Sequence, residues 1–205
     1  MISIELEDIL KRFIKKKINL IYLETGFETG SSVKTALKLK FTKVISIEID
    51  ESTVNQGKKE FVEFIENGKL EIINGDSAEK IKEIFNEKIS VIFLDAHGEY
   101  INYVGTDYDK FAPLEKELDF ILPKLKQDQL IIIDDYLRII NYPSYNKKNW
   151  KSQLTKEYFE ILINRYDLKT FEIPNKGNSY LILSKDKSLN LCNFYQKFMI
   201  NLKYM

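Results

Sequence analysis

Acidic side chains recur where the apolar runs of this sequence end. Glu24 closes NLIYLE and Glu48 lies in KVISIEI with Asp50 just beyond. Asp76 follows KLEIING, Asp95 closes ISVIFLD, and Asp134 and Asp135 close QLIIIDD. Carboxylates gathered at one edge can accept hydrogen bonds from hydroxyl groups, balance a positively charged ligand, or hold a hard cation through oxygen. Beside the first of them, ETGFETGSS carries Gly26 and Gly30 and then Ser31 and Ser32. A turn with so little bulk lets backbone N–H groups and a helix start approach a ligand closely, although the same glycines suit a plain tight turn.

The turn is not built for phosphates. Position 28 is Glu, which breaks the Gly-x-Gly-x-x-Gly pattern, and no Gly-Lys-Ser/Thr ending is present. Glu28 sits more easily beside a ligand bearing positive charge. Glu48 follows Gly26 at close to the interval of about 20 residues at which an acid takes ribose hydroxyls in nucleotide-binding folds. Together these residues fit a nucleoside with a cationic tail.

Such acids need a frame. The runs 19–24, 43–49, 69–73, 89–95 and 129–134 are nearly continuous in apolar residues, as expected of strands covered on both faces in a parallel sheet. Amphipathic stretches at 31–40, 51–66, 77–87 and 112–125 alternate with them, the pattern of a parallel α/β sheet. Residues 4–17 predict a leading helix, with Glu5, Glu7 and Asp8 early and Lys15, Lys16 and Lys17 late, matching the helix dipole. Further on, 151–165 reads as a helix and 189–204 as a short one. The segments 168–173 and 179–184, joined by NKGN, read as an antiparallel hairpin. In an open parallel sheet ligands bind beyond the carboxyl ends of the strands, the edge that gathers the acids.

Lysine plus arginine equals aspartate plus glutamate, 31 against 31, so no long-range field draws nucleic acid or an anionic membrane. The single cysteine, Cys192, forms no internal disulfide. No apolar run reaches the roughly 20 residues of a membrane span, and MISIELEDIL has no basic leader. The expectation is a cytoplasmic protein with a small-molecule partner.

The motifs, in their order, resemble the class I S-adenosylmethionine-dependent methyltransferases over roughly residues 19–135. YLETGFETGSS looks like their acidic first loop, which implies that Glu24, Gly26, Gly30, Ser31 and Ser32 hold the methionine end of the cofactor. ISIEID looks like their second strand, with Glu48 on the ribose. NGDSAE looks like their adenine-side loop, with Asp76 and Ser77 near the base and Asp95 close by. The resemblance implies a Rossmann-like three-layer α/β fold with a largely parallel seven-stranded sheet and an antiparallel C-terminal hairpin. It implies one domain over 1–205: an N-terminal helix (1–18), a cofactor-binding core (19–135), and a substrate loop with the hairpin (136–205).

A nearer resemblance is to the metal-dependent O-methyltransferases of the catechol type, in which strand-end carboxyl and amide groups hold Mg2+. That implies Asp95, Asp134 and Asp135 as metal ligands. Asp135 stands where that family has Asn, and Gly98 stands where it has a catalytic lysine. His97, the only histidine, can accept a proton near neutrality and is the candidate base beside Asp95. DAHGEY followed by PLEKEL also looks like a group of sugar-modifying and uncharacterised bacterial methyltransferases.

Plainer roles stand beside these. Asp76 can N-cap a helix starting at Ser77, with Glu79 completing a capping box, and Asp50 can cap the helix after it. The aromatic stretches 98–110 and 136–150 suit a sugar, aromatic or other hydroxyl acceptor, and equally a lid over the core or a homodimer contact. The function expected is methyl transfer to an oxygen of a small molecule. The alternatives are a non-catalytic S-adenosylmethionine-binding protein, an NAD-dependent oxidoreductase or epimerase, and a nucleic-acid methyltransferase.

Overall fold

The computed structural model describes residues 2–15, 17–96, 113–141 and 154–189. Seven strands form one sheet: β1 Ile21–Thr25, β2 Lys43–Glu48, β3 Leu70–Asn74, β4 Ile89–Leu94, β5 Leu130–Ile133, β6 Lys169–Asn175 and β7 Asn178–Ser184. Their order is β3-β2-β1-β4-β5-β7-β6. The first five are parallel to one another, and β7 pairs antiparallel with both β5 and β6. The seven strands and the hairpin are those the apolar runs predict.

The helices are α1 Ile4–Ile14, α2 Ser31–Lys38, α3 Glu51–Glu60, α4 Val62–Glu66, α5 Ser77–Ile84, α6 Leu114–Ile121, α7 Tyr136–Asn141 and α8 Lys156–Arg165. Side chains alternate across each strand, and the two faces feed two cores. Tyr22, Val44, Val91 and Phe93 meet Leu6, Leu10, Val33, Ala36 and Val54 on one face. Leu23, Ile45, Ile92 and Ile131 meet Ile81, Leu118, Ile121, Ile139 and Phe159 on the other. The result is a three-layer α/β fold whose central parallel strands β1, β4 and β5 are buried on both faces, whereas the edge strand β3 exposes Glu71.

Three elements differ from the sequence pattern. α1 stops at Ile14, and Lys17 instead lies 3.6 Å over the Phe13 ring and donates to the Asp128 carbonyl at 2.7 Å. The helix expected over 51–66 breaks at Phe61 (φ −107, ψ 23). There the Phe61 ring turns into the core, edge-on to Phe27 at 5.9 Å. The loop expected from 136 opens as α7, because Tyr136 and Ile139, three apart, both bury against the sheet's hairpin side. His97, Gly98, the rest of 98–110, residues 142–150 and the tail after Leu189 lie outside the described residues. No helix among the described residues is long and apolar enough to cross a membrane.

Candidate active site at the carboxyl edge of the sheet

The parallel ladder continues one residue past each strand and so sets the strand ends in register. Gly26 N–H donates to Ile47 O at 2.8 Å, Asp95 N–H to Thr25 O at 3.0 Å, and Asp134 N–H to Leu94 O at 3.1 Å. Glu24, Glu48, Asp95 and Asp134 therefore emerge along one edge of β1, β2, β4 and β5. Asp76 follows β3 at the same edge, where Gly75 N–H donates to Glu48 O at 2.9 Å.

The first loop is held from below and from the side. The Phe27 ring folds into the core, filling the space that the missing side chains of Gly30 and Gly57 leave. A Cβ on Gly30 would lie 2.7 Å from that ring, and one on Gly57 2.6 Å. Gly26 is left-handed (φ 85), and a Cβ there would stand 2.3 Å from the Asp95 carbonyl oxygen. Both glycines of the motif thus have a packing reason: Gly30 admits Phe27, and Gly26 lets the first loop lie against the end of β4. Gly26→Ala adds a left-handed alanine and a backbone clash, each costing about 1–3 kcal/mol. Urea unfolding of that variant should show a loss of at least about 2 kcal/mol.

Glu48 is the clasp at the side. Its Oε2 accepts from Phe27 N–H at 3.0 Å and Glu28 N–H at 3.2 Å, and its Oε1 accepts from Asp50 N–H at 2.9 Å. The carboxylate predicted to hold ribose hydroxyls also pins the glycine loop to the end of β2. Asp76 caps α5 through Ala78 N–H at 2.9 Å, and Asp50 caps α3 through Thr53 N–H at 2.7 Å. Glu79, expected to close a capping box, pairs with Lys82 at 2.8 Å.

Glu24 takes the Tyr22 face of β1 and is wholly buried beneath α2. Its Oε1 accepts from the Ser46 hydroxyl at 2.8 Å, whereas its Oε2 and the Tyr22 hydroxyl have no hydrogen-bond partner. Burial pushes the carboxyl up to about 7, with nearby Ser32, Ser46 and Tyr22 hydroxyls pulling it partly back. Ser32 is buried, and the Ser31 carbonyl accepts from Thr35 within α2. Asp95 is held well above the ordinary range by burial first and then by the charges of Asp134, Asp135 and Glu24. Asp134, 6% exposed, rises to about 6 through burial, with the Asp135 N–H partly offsetting and the charges of Asp135 and Glu28 adding to the rise. The carboxyl edge of β1, β4 and β5 is thus acid-rich.

The metal set implied by the sequence is not assembled here. Asp135 adopts φ 52 and turns to the hairpin, where its Oδ1 accepts from Asn178 Nδ2 and its Oδ2 from Arg138 at 3.1 Å. Asn178 in turn accepts from Arg138 N–H at 3.1 Å and Ser179 N–H at 2.9 Å. With Asp135 committed to these partners, Asp95 and Asp134 remain. Among the described residues no group of three or more histidine, cysteine, aspartate or glutamate side chains could hold a metal ion.

Sequence reading missed Ser46, Thr25 and Glu117. Ser46 is the polar residue inside KVISIEI. Glu117 falls on the buried stripe Leu114, Glu117, Leu118, Ile121 of α6, a helical spacing that marks a charge facing the core.

The sequence matches no family model and no characterised protein. Solved structures do match. An O-methyltransferase from Bacillus cereus, in complex with S-adenosylhomocysteine, aligns with TM-score 0.61 at 16% identity, covering 90% of this chain and 83% of that one. TomG from Streptomyces achromogenes, an O-methyltransferase involved in tomaymycin synthesis and solved with S-adenosylmethionine, aligns with TM-score 0.64 at 13% identity, covering 91% and 82%. A protein assigned as a caffeoyl-CoA O-methyltransferase, from Staphylococcus aureus, gives 0.63 at 18% identity over 90% and 85%. In its strand order, with the antiparallel hairpin, the chain thus has the fold of these O-methyltransferases.

Proposed function

We propose that this protein transfers a methyl group from S-adenosylmethionine to a hydroxyl oxygen of a small molecule, with sugars among the candidate acceptors. The observation that carries this reading is the acid-rich edge. Burial raises Glu24, and burial together with the charges of neighbouring carboxylates raises Asp95 and Asp134, so a ligand bringing positive charge would be stabilised at this edge. S-adenosylmethionine brings two such charges, its sulfonium and its ammonium. Support also comes from the two similar folds that hold S-adenosylmethionine or S-adenosylhomocysteine.

In this reading the Gly26 loop and Glu24 bind the methionine end, Glu48 takes the ribose hydroxyls, and Asp76 and Ser77 flank the adenine. Asp95 orients the acceptor hydroxyl. His97, two residues further on, takes its proton as the oxygen–carbon bond forms and the carbon–sulfur bond breaks. Alignment of donor and acceptor is the main contribution, since effective concentration alone can lower a barrier by several kcal/mol. We assign no step to a metal, because Asp135 is held by Arg138 and Asn178.

Incubation with S-adenosylmethionine and a panel of sugars, catechols and other hydroxyl compounds should yield S-adenosylhomocysteine with at least one acceptor. His97→Ala should slow that turnover by about a hundredfold or more, the usual contribution of a general base. Turnover by His97→Ala at the wild-type rate would remove the base. Binding of the cofactor without turnover on any acceptor would leave a binding protein.

A further inference from the structure

Asp135 stands where a helix N-cap belongs, directly before Tyr136 of α7, and the first turn of that helix needs acceptors for its N–H groups. A carboxylate in this place ordinarily accepts from the second or third residue of the helix. The third residue here is Arg138, and its N–H goes elsewhere, to Asn178 Oδ1 at 3.1 Å, a side chain 40 residues further along. The cap comes from the hairpin.

The hairpin turn sets Asn178 in that place. Lys176 (φ 45) and Gly177 (φ 85) are both left-handed, and Asn175 pairs with Asn178 across them. Positive φ at both central residues of a two-residue loop matches the twist of the strands it joins. Asn178 is thereby the first residue of β7, and its Oδ1 also accepts from Ser179 N–H at 2.9 Å. Its Nδ2 donates to Asp135 Oδ1, while the Arg138 guanidinium donates to Asp135 Oδ2 at 3.1 Å. The three side chains form a closed clamp between α7 and the hairpin. Asp tolerates the left-handed backbone of position 135 better than most residues do, and an amide there would bring the guanidinium no charge.

The neighbouring acid is drawn in as well, since Asp134 Oδ1 accepts from Asp135 N–H at 2.7 Å. A hard cation needs carboxylate oxygens turned to one point. Those of Asp135 are turned to the hairpin and the guanidinium.

We propose that Asn178 is a positioning residue: by capping α7 and clamping Asp135 it fixes the course of the chain leaving β5, where the stretch expected to meet the acceptor begins, and it commits Asp135 to the fold, so that methyl transfer needs no divalent metal. The consequences for acceptor and metal rest on the methyl-transfer reading. The clamp itself does not.

Asn178→Ala removes the cap, and Asn178→Asp sets two carboxylates face to face. Adding Asp135→Asn to the latter restores a donor opposite an acceptor. Both single variants should speed solvent exchange of the Arg138 amide at least tenfold, with β1 unchanged, and the double variant should recover to within threefold of wild type. With whichever acceptor of the panel yields most S-adenosylhomocysteine, Asn178→Ala should raise KM at least fivefold while S-adenosylhomocysteine affinity stays within twofold. The wild type with S-adenosylhomocysteine should take up no stoichiometric Mn2+, read from the spectrum of the free ion, and EDTA should leave turnover unchanged. Unchanged exchange at Arg138 in a folded Asn178→Ala protein overturns the clamp, as does a double variant without recovery. An unchanged acceptor KM overturns the positioning role. One-to-one Mn2+ uptake, or turnover lost to EDTA and restored by Mg2+, overturns the metal-free assignment while methyl transfer stands, and these two measurements need no variant to fold. If the wild type binds no S-adenosylhomocysteine and turns over no acceptor, the functional reading fails, and the exchange data alone decide the clamp.

Discussion

Replacing Glu48 with alanine is expected to weaken S-adenosylhomocysteine binding by about a hundredfold, with a range of about 30- to 1000-fold. The magnitude follows from the three backbone N–H groups that its carboxylate accepts, from Phe27, Glu28 and Asp50. A hydrogen bond to a charged group is worth about 1.5–3 kcal/mol, and a tenfold change in affinity is about 1.4 kcal/mol. The Phe27 and Glu28 bonds hold the first loop in place, and the ribose bonds proposed for the same carboxylate disappear with them. Solvent reaches this half-buried group, so only a part of the sum survives as affinity. Glu48→Gln, which can still accept through one oxygen, should fall between. Calorimetric titration of the three proteins checks the order. Equal affinity in the alanine variant would make Glu48 a loop clasp and nothing more.

A second large effect concerns pH. Glu24 and Glu117 are each raised from 4.5 to about 7, chiefly by burial. In the unfolded chain both ionise near 4.5, so between about 4.5 and 7 these two groups together hold about two more protons in the folded protein than in the unfolded one. Stability then falls as pH rises through that window and levels off above it. A tenfold change in proton affinity corresponds to about 1.4 kcal/mol, so the loss approaches about 3 kcal/mol per group across the full window. Urea unfolding should therefore give a lower stability at pH 7.5 than at pH 5.5. Glu117→Gln should remove its own share of the slope, about 2 kcal/mol over that interval. Wild-type stability that rises from pH 5.5 to 7.5, or a Glu117→Gln protein with the full wild-type slope, would contradict these assignments.

The frame of this molecule was legible because strands buried on both faces leave an unusually plain trace. ISVIFL and QLIII have no alternation to mistake, and NKGN marks the hairpin turn with residues that suit it. The acids at the strand ends were legible for the same reason, since a charge closing an apolar run has few places to go. What the sequence conceals is the partner each residue finds. Gly30 looks like an opening for a ligand, and only the three-dimensional structure brings the Phe27 ring from three residues away into the space that it and the distant Gly57 leave. Asp135 looks like the neighbour of Asp134 in a metal site. A left-handed backbone and the remote Asn178 turn it to the hairpin instead. The break at Phe61 is likewise tertiary: local spacing favours one helix over 51–66, and the contact with Phe27 ends it early.

Glu117 is the instructive omission. Its signal was present, a glutamate in register with Leu114, Leu118 and Ile121, but helical spacing says only that it faces inward. That the carboxyl ends wholly buried, with its Oε1 lacking a hydrogen-bond partner, follows from the packing of α6 against the sheet.

Every role proposed above depends on an acidic sheet edge that receives a positively charged adenosyl group. The most direct measurement is parallel calorimetric titration of the wild type with S-adenosylmethionine, S-adenosylhomocysteine and NAD. Saturable binding of both sulfur compounds is expected, with no detectable heat from NAD, whose pyrophosphate would meet Glu28 and the carboxyls behind it. Saturation by NAD with no response to either sulfur compound would contradict that role for the edge.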